Sequence, residues 1–228
     1  MDRVPSRNDS HRPVQLWLFV AVGLHALLLA LPLFFSPVFH YDWINHLWFA
    51  NYVAHHWVAS GALPMFVNVP SGIGNPLFVF YGPGLYATVA PLVLLFGPDW
   101  GMRVAVLAAF LIPNLALARF ASRCFESRWV AGAVTVVLST SLYQLTNIYT
   151  RSATTEFFAY QFLFFALVLL MDHLLDTDNR AQSTKWILGL ASASIGALSH
   201  PPTVYLAVIF LGIPALIFVV LQRRALVP

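Results

Sequence analysis

Long stretches without charge constrain this chain more than any motif: no Asp, Glu, Lys or Arg occurs from Val14 to Tyr41, nor from Tyr52 to Pro98. About a quarter of the residues in a soluble domain are charged. Here the share is 9%, against 59% hydrophobic residues. These proportions exclude a soluble globular domain and make the lipid bilayer the first partner of the chain. The first apolar run, Gln15 to Ser36, exceeds the roughly 20 residues that a helix needs to cross hydrocarbon. It is longer than the roughly 7–15-residue core of a cleavable signal, and no clear Ala-x-Ala site follows, so we read it as a retained span. The fold class expected is all-α, a polytopic helical membrane bundle.

Later apolar runs are Phe78 to Gly97, Met102 to Ala121, Trp129 to Leu145, Phe157 to Met171, Trp186 to Ser199 and Thr203 to Leu221. Cationic residues concentrate on the cytoplasmic side of membrane proteins, so the 12 Lys and Arg test which runs cross. With all seven runs crossing and the N-terminus inside, five cations lie inside and seven outside. If Phe78 to Gly97 instead lies at the outer interface, ten lie inside and only Arg103 and Arg151 outside. Pro83, Gly84 and Pro91 interrupt that run, in keeping with its demotion. Six spans plus outer juxtamembrane helices are therefore expected in one transmembrane domain over 1–228. Its parts are a cytoplasmic tail (1–14), a first span (15–36), an outer loop (37–101), five further spans (102–221) and a cytoplasmic end (222–228). Trp129 and Trp186 then open helices at the inner interface, where aromatic rings prefer to sit.

The formal net charge of +3, from 12 Lys and Arg against 9 Asp and Glu, is accounted for by this topology and gives no support to nucleic-acid binding. Cys124 is the only cysteine, which excludes an intramolecular disulfide, a zinc cluster and a Cys-x-x-Cys redox motif. Chemistry is expected on the outer face.

The outer loop opens His40-Tyr41-Asp42-Trp43-Ile44-Asn45-His46 and reaches Trp57 without Gly or Pro, which predicts a helix along the membrane surface. At 100° per residue Asp42, Asn45, His46, Tyr52 and His56 share an arc of about 120°, while Trp43, Leu47, Ala50, Ala54 and Trp57 share another. Asp42 and His46, one turn apart, could serve as a general base, a metal-ligand pair or both, or simply belong to a solvated stripe. The Gly-, Pro- and aromatic-rich stretch Gly72 to Pro83 cannot be regular helix. It reads as a pocket wall offering Tyr81, or as a plain turn. Arg151 stands against the positive-inside pattern and could bind a lipid phosphate, pair with Glu156, or both. His200, before Pro201 and Pro202, could join the same cavity or cap a helix. His25 and His173 read as structural, Asp99 and Arg103 as a pair, and Asp172 to Thr184 as a polar connector.

A short tail, one span and an outer loop that opens on an acidic residue resemble the GT-C superfamily of membrane glycosyltransferases. The Gly-x-Gly-x-Pro-x-Phe-x-Phe-Tyr-x-Pro stretch from Gly72 to Pro83, Arg151-x-x-x-x-Glu156 and Leu198-Ser199-His200 resemble a bacterial branch labelled 6-pyruvoyl-tetrahydropterin-synthase-related membrane protein. The resemblance implies a polyprenyl-phosphate-linked sugar as donor and transfer on the outer face of a bacterial cytoplasmic membrane to a cell-envelope glycan or glycolipid. It gives Asp42 the base or metal role, helped by His46. Arg151 would hold the donor phosphate, and Glu156 would orient Arg151 or touch the sugar. A divalent ion, Mg or Mn, would bind at Asp42 and His46. Many members carry two adjacent acidic residues where Tyr41 and Trp43 flank a lone Asp42. Members are longer than this chain, so an N-terminal part of such an enzyme is expected. The alternative is a non-catalytic membrane protein that binds a lipid-linked sugar or a partner subunit. Transport ranks last, since ionisable residues within the spans are few.

Overall fold

The computed structural model describes residues 16–35, 41–64, 67–68, 74–75, 82–151, 153–175, 179–214 and 216–217. The chain is an all-α helical bundle of the membrane type. In order, its helices are α1 (Leu16–Phe35), α2 (Tyr41–Ser60), α3 (Gly84–Phe96), α4 (Pro98–Cys124), α5 (Arg128–Ser139) and α6 (Leu142–Leu145). They continue with α7 (Thr154–Leu175), α8 (Asn179–Ser199) and α9 (Pro201–Ala207), and π-helical stretches extend α6 over Thr146–Thr150 and α9 over Val208–Gly212. Two-residue strands β1 (Val67–Asn68) and β2 (Gly74–Asn75) pair antiparallel and are the only sheet among the described residues.

Among the described residues four helical segments are long and apolar enough to cross a membrane: α1, α4, Arg128–Thr150 and α7. Of the two other expected spans, α8 has 21 residues but is less apolar, with Arg180 and Lys185 near its start. The last apolar helix, Pro201–Phe210, is short. Helix α3 has 13 residues, or about 20 Å of rise, well under the roughly 30 Å of hydrocarbon. It is too short to span by itself, and Pro91 lies inside the helix instead of breaking it. Gly97, at φ 78°, makes the turn that lets α4 fold back on α3.

Helix α4 is the hub, packing on α1, α3, α5 and α7. On α1 the buried positions Leu18, Val22, Ala26, Ala30 and Leu33 recur every three or four residues, forming one stripe. Ala26 and Ala30 let the backbones approach, as small residues do between helices in lipid. The largest buried side chains of the core are Trp43, Tyr86, Phe110 and Phe157, from α2, α3, α4 and α7. Phe110 and Phe157 pack with ring centroids 5.0 Å apart.

Two details differ from the expectations. The apolar stripe of α2 is not simply laid on lipid: Trp43, Ala50 and Ala54 are buried against protein, while Trp57 is exposed. Nor is Asp172 to Thr184 merely a connector. Asp172 is buried in the last turns of α7, and α8 already begins at Asn179. The carboxylate pairs with Arg123 and Lys185, with Arg119 at 3.8 Å, so it clasps α4, α7 and α8 at one end of the bundle. The buried Asp172 charge is thus met by cations from α4 and α8 instead of water.

The pair Asp99 and Arg103 forms as expected. Arg103 Nε donates to Asp99 Oδ2 at 2.8 Å and its terminal nitrogen to Oδ1 at 3.0 Å, a bidentate bond on the first turns of α4. His173 bonds the Gln182 carbonyl at 3.0 Å and packs on Trp186, and so serves structure. His25 is an intramembrane residue of α1 whose Nε2 has no hydrogen-bond partner among the described residues.

Candidate functional site

Opposite the Asp172 clasp, α2, α3, the start of α7 and the end of α8 enclose a cavity of about 410 Å³. Its lining includes Asp42, Asn45, His46, Tyr86, Arg151, Glu156 and His200. Five of the six residues singled out from sequence thus meet in one cavity, from segments far apart in the chain. The sixth, Tyr81, lies outside the described residues, as does most of the stretch Gly72 to Tyr81.

Helix periodicity explains the contribution of α2. Burying Trp43, Ala50 and Ala54 on one side turns Asp42, Asn45 and His46 toward the other. The Asp42 side chain is exposed and has no ion pair or hydrogen bond among the described residues. His46 Nδ1 sits 2.7 Å from the Tyr86 hydroxyl. Burial holds the His46 imidazole down at about 4, against an opposing pull from the Asp42 carboxylate. His46 is therefore neutral near pH 7 and too weak a base to take a proton there by itself. With Nδ1 engaged by Tyr86, Nε2 is the ring nitrogen left for another partner.

The π-helical turn Thr146–Thr150 and the first turn of α7 supply the charged wall. Arg151 donates to Asn147 Oδ1 at 2.9 Å and lies 3.4 Å from Glu156 Oε2. Glu156 Oε1 accepts from the Tyr143 hydroxyl at 2.5 Å. Arg151 is the more open partner, 55% exposed against 14% for Glu156, so its guanidinium can meet a ligand without breaking the core. Both sequence readings of Arg151 are compatible: it pairs with Glu156 and it faces the cavity.

His200 precedes α9, and its Nδ1 is 2.7 Å from Thr203 Oγ1. The imidazole makes no side-chain cap to the helix backbone. Burial lowers its pKa, with Glu156 opposing and Arg151 reinforcing. The end of α8 is also pressed against the entry to α3. A Cβ on Gly82 would stand 1.7 Å from the Leu198 carbonyl oxygen, and one on Gly84 would stand 2.7 Å from that of Ile195. Gly82-Pro83 and Leu198-Ser199-His200, separate in sequence, are thus one contact that fixes His200 and Tyr86 on the same cavity.

Tyr86 is the site residue that sequence reasoning missed. It stands inside an apolar run with no polar residue near it in sequence except Thr88, and its partner His46 is forty positions away. Among the described residues no group of three His, Cys, Asp or Glu side chains is arranged to hold a metal. Asp42 and His46 alone, with one imidazole nitrogen already engaged, do not form a metal site without ligands from elsewhere.

Beside the cavity runs an apolar groove of about 190 Å³, lined by Val89 and Leu92 of α3, Ala105 and Ile112 of α4, and Phe158 and Phe162 of α7 among others. It begins within one turn of the polar lining on both flanking helices: Tyr86 is followed by Val89, and Thr155 by Phe158. A polar cavity with an apolar groove one helical turn away suits an amphiphile with an anionic head. Compared with protein-family models, curated proteins and solved structures, the chain matches none.

Proposed function

We propose that this chain is a polyprenyl-phosphate-sugar-dependent glycosyltransferase, or the N-terminal part of one, acting on a cell-envelope glycan or glycolipid in a bacterial cytoplasmic membrane. The observation that carries the reading is that a cavity holding a carboxylate and an arginine lies one helical turn from an apolar groove along α3 and α7. The resemblance of the Asp42, Gly72 to Pro83, Arg151 and His200 regions to GT-C enzymes agrees with it.

In this reading Arg151 holds the donor phosphate, and its planar fork suits two phosphate oxygens. The Asp42 carboxylate takes the proton of an acceptor hydroxyl. That oxygen bonds to the anomeric carbon as the bond from carbon to phosphate oxygen breaks, and polyprenyl phosphate leaves with the electron pair, its charge met by Arg151. Neutral His46, fixed by Tyr86, offers a hydrogen bond to the sugar or the acceptor. A divalent ion, if used, would draw on Asp42 and on substrate oxygens and would help to neutralise the phosphate. Six crossings with the N-terminus in the cytoplasm complete this reading and put the cavity outside.

The alternative is a binder of lipid-linked sugar, or a partner subunit, without catalysis. The low pKa of His46 favours it, because the imidazole is then too weak a base to assist a carboxylate near pH 7. Asp42→Asn separates the two readings: membranes carrying this variant should bind a labelled polyprenyl-phosphate sugar and fail to pass the label to envelope glycan. Transfer at the parent rate would rule out Asp42 as base.

A further inference from the structure

The charges of the cavity do not balance once a phosphate enters. Among the described residues of the lining Asp42 and Glu156 are the carboxylates and Arg151 is the one permanent cation, while burial holds His46 neutral and lowers His200. No hidden cation can come from Val14 to Tyr41 or from Tyr52 to Pro98, because those stretches contain no Lys or Arg. Arg103 is already in a bidentate bond with Asp99. Arg119, Arg123 and Lys185 belong to the Asp172 clasp, which is about 24 Å away along α7, counting 1.5 Å for each residue from Glu156 to Asp172.

Adding the single charge of a sugar phosphodiester therefore sets three negative charges against Arg151. In addition, the phosphate competes for Arg151 with the Glu156 carboxylate that now lies 3.4 Å from it. When Arg151 turns to the phosphate, Glu156 keeps only the Tyr143 hydroxyl. A carboxylate only 14% exposed and stripped of its counter-ion is costly. A substrate that brings its own cation removes the cost by exchanging partners, with phosphate on Arg151 and ammonium on Glu156.

We infer that the sugar carried to this cavity is an amino sugar with a free primary amine, whose ammonium group is recognised by Glu156 beside the Arg151 phosphate site. The inference rests on the proposed function and narrows its substrate class from any lipid-linked sugar to a zwitterionic one. Glu156 is then a specificity-determining residue, and its spacing from Arg151 sets how far the amine can lie from the phosphate.

The test uses the full chain in nanodiscs and three probes with the same polyprenyl phosphate: a hexose, the corresponding amino hexose and its N-acetylated form, each titrated with EDTA present and again with Mg²⁺. A charge-assisted hydrogen bond of about 1.5 kcal/mol is worth about tenfold in affinity, so the amino form should bind about tenfold tighter than the other two. Glu156→Gln keeps an acceptor for Tyr143 and should abolish the preference, with hexose binding tightened because the phosphate no longer competes with a carboxylate for Arg151. Raising the pH past the pKa of the amine should abolish it in the parent, which tests the idea even if the variant folds poorly. Equal affinity for all three probes would overturn the inference and leave the proposed function standing. A preference that Mg²⁺ erases by raising hexose binding would show that a metal meets the charge, and would overturn it too. Failure of every probe to bind would overturn the proposed function itself.

Discussion

His46 on α2 and Tyr86 on α3 are joined at 2.7 Å, and this bond closes one wall of the cavity. Tyr86 is buried and reaches His46 with its ring packed against Phe49. Replacing Tyr86 by Phe keeps the ring and removes the bond. Unfolding stability should fall by about 1 kcal/mol, and Tyr86→Phe should also lower affinity for any ligand that uses His46 Nε2. Thermal unfolding in nanodiscs, paired with a ligand titration, checks both effects. An unchanged melt would show that the bond contributes nothing to the wall.

The low pKa of His46 gives stability a defined pH dependence. The folded imidazole titrates at about 4, below the 6.5 of an unfolded chain, so the unfolded state binds more protons between these values and stability rises with pH across that window. Between pH 6.5 and 4 the folded state should lose up to roughly 3 kcal/mol from this group. Because the Asp42 carboxylate opposes the shift, Asp42→Asn should move the His46 titration lower still. Histidine resonances followed by NMR against pH would show this. Movement upward in the variant would contradict the assignment of Asp42 as the opposing charge.

Gly82 tests the seam between α3 and α8. Its hydrogen leaves just enough room for the Leu198 carbonyl, and a methyl group there must push backbone against backbone. Gly82→Ala should cost about 1–3 kcal/mol or more and displace His200 with it. Gly23→Ala, whose new methyl would meet only Leu111 Cδ1 at 3.8 Å, should be nearly silent. Comparable melting of the two variants would show that the seam is loose.

How far the sequence carries is clearest at these same residues. Asp42 and His46 were legible because the i, i+4 spacing on a helix places them together by geometry. Arg151 and Glu156 were legible because Arg151 stands against the positive-inside reading of the sequence and Glu156 offers it a carboxylate five positions on. Asp99 and Arg103 were legible for the same helical reason, and the bidentate bond bears this out. Tyr86 was not, since neither its neighbours nor its period distinguishes a phenol from the Phe and Leu around it. Asp172 was misread as part of a connector because local polarity looks the same whether it meets water or a buried Arg and Lys from α4 and α8. Membrane helices are easy to recognise one at a time by hydropathy. Which side chains they bring together depends on contacts across dozens of residues.

The Asp99–Arg103 bond should hold the first turns of α4 beside the Gly97 bend. Arg103 is only 5% exposed in its side chain, so Asp99→Asn leaves a buried guanidinium with a neutral partner in place of a carboxylate. A destabilisation of about 1–3 kcal/mol is expected, readable as a lower melting temperature, whereas Arg128→Gln at the other end of the bundle should change little. A parent-like melt of Asp99→Asn would show that Arg103 is satisfied without the carboxylate.

Donor binding tests the central claim most directly: the chain in nanodiscs, titrated with a polyprenyl-phosphate sugar, parent against Arg151→Ala. The account predicts saturable binding by the parent and a loss of about tenfold or more in the variant, as expected for removing a charged hydrogen-bond partner of phosphate. Parent-level affinity in Arg151→Ala, or no binding by a well-folded parent, would contradict it.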